Sequence, residues 1–444
     1  MMMKTIKPIL TSSGRTHVVW AAIWLGMLWG VGQPMALSAA EVGFPTLSCG
    51  SSADAPVGRS EPILIQADVV HLGDGQVLQP GMVLVVDGKI QAVATDIELP
   101  ADGTRLRVAQ LTPGFVDAAS SIGITGSAGE VTSEVTPDFV VADAIDLMDA
   151  DFRRQWDAGV TTVHVTPNTE NVVAGFGSLL KTAGSPAQRW LRKQTGLYLS
   201  MCNDPTGRNS ARNRPESLYV RLPTNRMGVV WILRSRLHAS RMDVAEGGNA
   251  AESAAEEAAG QAAATTPASV ALLGEMISGK TTAFAVSRTA YDIETLFRIS
   301  DEFSFKPILV GGDEAHKVVD LLQRQQAQVI FTALSTGMTG AERTELTWNT
   351  PVRLAEAGIP CALAGDQLLN QARFARRYGL SSGQALAAIT SQPASMLGVG
   401  DRVGRIAVGL DADLVAFSGD PLQITSAIEW VMIDGIQQTS REEQ

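Results

Sequence analysis

The feature that most limits what this chain can become is an alternation of strand-type and helix-type runs between residues 149 and 364. Short β-rich runs fall at 160–166, 282–286, 307–310, 329–331 and 360–364. Stretches with helical patterning fall at 149–158, 269–278, 292–303, 315–325 and 350–357. Strands joined through helices run parallel, because each helix carries the chain back to the edge where the last strand began. Repeated along the chain, this predicts an α/β architecture, and the order fits a (β/α)8 TIM-like barrel.

With 444 residues, 45% hydrophobic and 18% charged, the chain can fill one large domain and a smaller companion, and global disorder is excluded. The first 40 residues read differently. Lys4, Lys7 and Arg15 precede an apolar run at 18–32, and small residues at 36–40 suit cleavage, the pattern of a secretory signal peptide. The apolar run is shorter than the roughly 20 residues of a spanning helix, so the expected location is secreted or periplasmic, with no membrane attachment after cleavage. Residues 41–60 read as a flexible arm.

Lys+Arg number 35 and Asp+Glu 46. Removing the three basic residues of the first 40, a segment without Asp or Glu, leaves 32 against 46, a net charge of −14. Nucleic acid is therefore not an expected partner. Cys49, Cys202 and Cys361 are too few and too scattered for a disulfide framework, and pairing of Cys202 with Cys361 stays open. Residues 243–268, rich in Ala, Glu, Gly and Thr, read as an exposed insertion.

Residues 109–125, AQLTPGFVDAASSIGIT, place an apolar run before Pro-Gly and a carboxylate. This is similar to the first-strand signature of the amidohydrolase superfamily, written PGFVDAHSHIG. Further stretches, DAGVTTVHVTPNTENVVAGFGSLLKT, LPTNRMGVVWILR, YDIETLFRISDEF, IPCALAGD and DRVGRIAVGLDADLVAFSGDP, resemble a secreted bacterial, imidazolonepropionase-like branch of it. The resemblance covers about residues 62–435. It implies a barrel over 111–398 and a small β-sandwich-like domain built from both chain ends, 61–110 and 399–444. Strand runs at 63–72, 82–86 and 90–94, with an Asp87-Gly88-Lys89 turn, and at 404–408, 412–417 and 430–434 would form that domain.

The family uses zinc or another divalent metal whose bound water attacks a carbon–nitrogen bond. Carried over position by position, the resemblance puts Ala119 and Ser121 where the first histidine pair belongs. Tyr198 and Asn203 stand for the bridging Lys or Glu, Ala285 or Ser287 for the fifth-strand histidine, and Gly311 or Gly312 for the sixth. Asp366, at the eighth strand, is the one matching catalytic position. Only five histidines occur in the chain, and of these His164 alone lies where a strand could deliver it to the barrel mouth. One imidazole and one carboxylate fall short of the roughly three protein ligands of catalytic zinc. Asp117, Lys181, Arg226 and His164 are candidates to bind a small ligand at that mouth, with Lys181 or Arg288 as possible partners of Asp366.

The expectation is a metal-free pseudoenzyme without a cofactor, related to hydrolases of non-peptide carbon–nitrogen bonds, that binds a small molecule or partners itself or an amidohydrolase paralogue. Two alternatives stand beside it: an active hydrolase of amide or cyclic amide bonds with a reduced metal site or none, and a structural or interaction protein.

Overall fold

The computed structural model describes residues 61–130, 133–207, 222–245, 267–332 and 347–438. The signal peptide, the arm and most of the 243–268 insertion lie outside the described residues, as do Cys49 and His17. The described residues belong to one compact unit.

The N-terminal strands are β1 (Ile63–His71), β2 (Val77–Leu78), β3 (Gly81–Val86), β4 (Lys89–Ala94) and β5 (Thr104–Pro113). The central ones are β6 (Phe115–Ser120), β7 (Val160–Val165), β8 (Val173–Phe176), β9 (Ser178–Lys181), β10 (Trp190–Arg192), β11 (Gly196–Ser200), β12 (Thr282–Ser287), β13 (Pro307–Gly311), β14 (Gln328–Phe331) and β15 (Cys361–Leu363). The last three are β16 (Leu414–Phe417), β17 (Ile428–Ile433) and β18 (Ile436–Gln438).

The first five and the last three strands share one eight-stranded sheet, in the order β18-β17-β16-β5-β1-β3-β4 with β2 on β1. Two tight turns explain part of this joining. Asp87 and Gly88 have φ of 50° and 76°, and Asp434 and Gly435 have 51° and 75°, the left-handed pairs that two-residue hairpins require. The turns pack back to back: a Cβ at Gly88 would lie 2.7 Å from the Asp434 carbonyl oxygen, and one at Gly435 would lie 2.8 Å from the Gly88 Cα. Glycine is thus needed twice, for backbone angle and for close approach. The strand expected at 404–408 is corrected: that stretch is irregular, with bends at 404–405 and a turn from 408. Gly404 has φ +87°, and a Cβ there would meet the Thr390 carbonyl oxygen at 2.7 Å, so the chain bends where a strand would extend.

The central strands form a mixed α/β arrangement of a four-stranded sheet, β10-β9-β7-β6, and a six-stranded one, β15-β14-β13-β12-β11-β8. β6 and β7 are parallel, as are β11 to β15 in sequence order. The expectation of parallel strands throughout is corrected at residues 173–181. There β9 runs antiparallel to β7, and β8 antiparallel to β11. No helix separates residues 165 and 173, so the chain returns directly alongside the strand it has just left.

Helices cover the parallel strands. The helix Ala290–Phe303 shows why the sequence folds locally as it does: Thr289 and Asp292 form a capping box, and Ser304, at φ 60°, ends the helix in the left-handed region. Between these stops Ile293, Leu296, Phe297 and Phe303 are buried, each contributing roughly 1.5–3 kcal/mol relative to exposure. A second apolar cluster includes Val116, Ala118, Tyr198, Phe284, Val286, Ile308, Val310, Ile330 and Ala362. It alternates along the strands with the helix-facing set, which holds Ala283, Ala285 and Leu309. Among the described residues no helix is long and apolar enough to cross a membrane.

Candidate functional site at the C-terminal ends of the parallel strands

β7 is buried along its whole length, and its register places His164 beside β6 on one side and β9 on the other. The His164 Nδ1 lies 3.0 Å from the Ala118 carbonyl oxygen and Nε2 2.8 Å from the Thr195 hydroxyl. A carbonyl only accepts, so Nδ1 carries the proton and Nε2 accepts from Thr195. Neither ring nitrogen is left for a metal. The Tyr198 hydroxyl is 3.4 Å from Nδ1, and Tyr198 stacks on Phe284 at 5.1 Å between centroids. Aromatic side chains thus fill the space around the imidazole.

Burial lowers the His164 pKa to about 4. An unfolded histidine titrates near 6.5. Between these values the unfolded chain binds a proton that the folded one refuses, so stability falls as pH drops from 6.5 towards 4, by about 3 kcal/mol in all. Urea melts across this range are expected to show that slope in the wild type and a flatter profile in His164→Gln; equal slopes would contradict the assignment.

Asp117 is buried, and its Oδ1 accepts from the Gly365 N–H at 2.8 Å and the Ala119 N–H at 3.1 Å. It therefore ties the end of β15 to β6. Burial raises its pKa against the effect of these hydrogen bonds, with the nearby Asp366 charge adding to the rise. Burial and the charge of Asp117 push the Tyr198 phenol well above 10. Asp366 itself is exposed. Asp117, Asp366, Tyr198 and His164 thus lie in one neighbourhood.

The other candidates fall elsewhere. Lys181 is a correction: β9 pairs it with Thr162, near the start of β7, away from the strand's C-terminal end. Its ammonium donates to Asp411 at 2.9 Å, Asp413 at 3.1 Å and Asp434. Arg226 is also a correction, since its Nε donates to the buried Asp292 at 2.9 Å and links two helices. Arg288, considered as a partner for Asp366, is engaged bidentately by Asp204, both contacts at 2.6 Å. Burial opposes the Asp204 charge, but Arg288 and the Thr169 hydroxyl outweigh it and hold the carboxyl below its usual range. Sequence alone does not single out this pair, because its members lie 84 positions apart without a spacing motif.

Among the positions matched to metal ligands, Ala119 is half-buried, Ser121 and Asn203 are exposed, and Ser287 is buried. The Ser287 carbonyl accepts from the Gly312 N–H at 2.8 Å. Gly311 and Gly312 have φ of 99° and 68°. Cys202 and Cys361 are free thiols, each pushed up to about 12 by burial, so neither is a ready thiolate.

Residues 309–437 match an amidohydrolase family. The crystal structure of an amidohydrolase from Thermotoga maritima MSB8 is 29% identical, with a TM-score of 0.74 over 85% of this chain and 100% of that one. These matches support the amidohydrolase superfamily. A curated relative, amidohydrolase tasK of Hapsidospora irregularis, is 28% identical over 404 residues, 83% of this chain, and the chain spans 40% of that relative's length. A Xaa-Pro dipeptidase with bound methionine shares the fold at 13% identity and a TM-score of 0.53.

Amidohydrolases usually use a divalent metal, which needs about three nitrogen, sulfur or carboxylate donors converging on one point. Among the described residues no group of three or more His, Cys, Asp or Glu side chains is placed to hold one. Asp117 spends one carboxylate oxygen on two backbone donors, and His164 spends both nitrogens. The residues at these strand ends do not fit the family's metal.

Proposed function

We propose that this is an amidohydrolase-fold protein of the secreted, imidazolonepropionase-like branch that does not carry out metal-dependent hydrolysis. Its two central sheets close into a barrel, and a small molecule binds where the parallel strands end. The observation that carries this is the state of His164 on β7, whose ring is enclosed by Ala118, Thr195, Tyr198 and Phe284. Metal-bound water, the usual nucleophile of such chemistry, has no donor set to activate it there.

The ligand class follows from what remains exposed. With Lys181 and Arg226 occupied elsewhere, the accessible charge beside Asp117 is the Asp366 carboxylate. That favours a ligand presenting an amine or amide N–H over an anionic one. Export to the periplasm or beyond belongs to the same proposal, as does association with a second copy or an amidohydrolase paralogue.

Elemental analysis of protein expressed with zinc, manganese and iron tests the core of it. The expected result is no stoichiometric metal after dialysis and no amide turnover that a chelator abolishes. About one metal per chain, with chelator-sensitive turnover, would overturn it.

A further inference from the structure

The helices Arg226–Ala245 and Ala290–Phe303 are tied by Arg226 to Asp292 and by Arg234 to Glu302. Between them runs a surface groove of about 390 Å³, lined by Met227, Val230, Trp231, Arg234, Tyr291 and Arg298 among others. Met227, Trp231 and Tyr291 are 75%, 60% and 55% exposed. Three large apolar side chains held in water around one concavity forgo the burial that would stabilise them. The volume falls within the range of small-molecule sites.

The charges around the groove are almost all matched. Arg226 has Asp292, Arg234 has Glu302, Arg236 has Glu134, and Arg241 lies over the Phe303 ring at 5.0 Å. Arg298 differs: it is exposed on the groove and, among the described residues, its guanidinium has no ion pair, hydrogen bond or ring contact. The chain's formal net charge is −11, so its overall field repels anions and any attraction for one must be local. An uncommitted guanidinium beside exposed Trp and Tyr rings is complementary to a flat apolar body that ends in a carboxylate.

We propose that this groove is a binding site for an aromatic carboxylate, its ring against Trp231 and Tyr291 and its carboxylate on Arg298. The site is independent of the strand ends.

The test is titration of the full chain with 2-naphthoate and with its neutral counterpart 2-naphthalenemethanol, followed by calorimetry. Saturable naphthoate binding is expected. Arg298→Gln is expected to weaken naphthoate roughly tenfold and leave the alcohol unchanged, and Trp231→Ala to weaken both. Asp366→Asn should alter neither, which separates this site from the one proposed above. These side chains are exposed, so melting temperatures should stay near the wild type's. Absence of saturable naphthoate binding, binding indifferent to Arg298→Gln, or binding lost in Asp366→Asn would each overturn the proposal.

Discussion

Lys181→Met is expected to lower stability by about 3–5 kcal/mol, the usual cost of removing one partner from a buried ion cluster. The Lys181 side chain is fully buried, and Asp411 and Asp413 are 1% and 3% exposed. Asp411 would keep Lys89 and Arg402. Asp413 would keep a charge with no cation beside it among the described residues, close to Asp434. The double change Lys181→Met with Asp413→Asn should therefore recover part of the loss, measured by urea or thermal melts. Equal stability of wild type and Lys181→Met would show that the network contributes nothing.

The pH dependence of this network has a definite sign. Burial works against the Lys181 charge, but Asp413, Asp434 and Asp411 outweigh it and raise its pKa, so its contribution is present below the ordinary lysine value and lost as pH rises through the folded one. Burial likewise works against the Asp411 charge, but Lys181, Lys89 and Arg402 lower its pKa. That contribution is present above the ordinary carboxylate value and lost as pH falls through the folded one. Asp413 runs the other way: burial, with Asp434 nearby, raises its pKa despite Lys181, so its ionisation opposes folding as pH rises. In Lys181→Met this opposing effect should grow, making the variant relatively more stable in mild acid than at neutrality.

Asp117→Ala is the second large effect. It removes the acceptor of two backbone N–H groups, Ala119 and Gly365; a fully buried donor left without a partner costs about 1–3 kcal/mol, and these two are partly buried, which places each towards the lower part of that range. A loss of roughly 2–4 kcal/mol is expected, with faster hydrogen exchange at the Gly365 amide. Asp117→Asn should behave differently, because an amide oxygen can accept the same two bonds. The carboxyl of Asp117 is held above its usual range by burial and by Asp366, so its ionisation costs stability as pH rises, and the neutral amide removes that cost. Asn close to wild type and Ala well below it is the expected order; Asn as damaging as Ala would show that the two hydrogen bonds are not what matters.

These two sites mark the boundary of what was legible in the sequence. The alternating runs that become β7 and β12 to β15, and the helices between them, are written in local periodicity, and the Asp87-Gly88 turn in two adjacent residue types. Local pattern is silent on pairing direction, so the antiparallel return at 173–181 could not be read from it. Nor does it show which distant charge a residue meets. Lys181 finds Asp434 at a separation of 253 residues and Asp413 at 232, and Arg226 finds Asp292 at 66. Each is a candidate for ligand binding by its sequence neighbourhood, which resembles a site, while its partner is fixed by topology. His164 shows the converse case: its place on β7 was readable, but its enclosure depends on Thr195 and Phe284, which arrive from other parts of the chain.

We propose that the strand ends do not support metal-activated hydrolysis, and metal stoichiometry is the decisive measurement. Wild-type protein, purified after expression with zinc, manganese and iron and dialysed without chelator, is expected to retain far less than one metal per chain. Retention of about one per chain, lost on adding a chelator together with turnover of an amide, would contradict the claim.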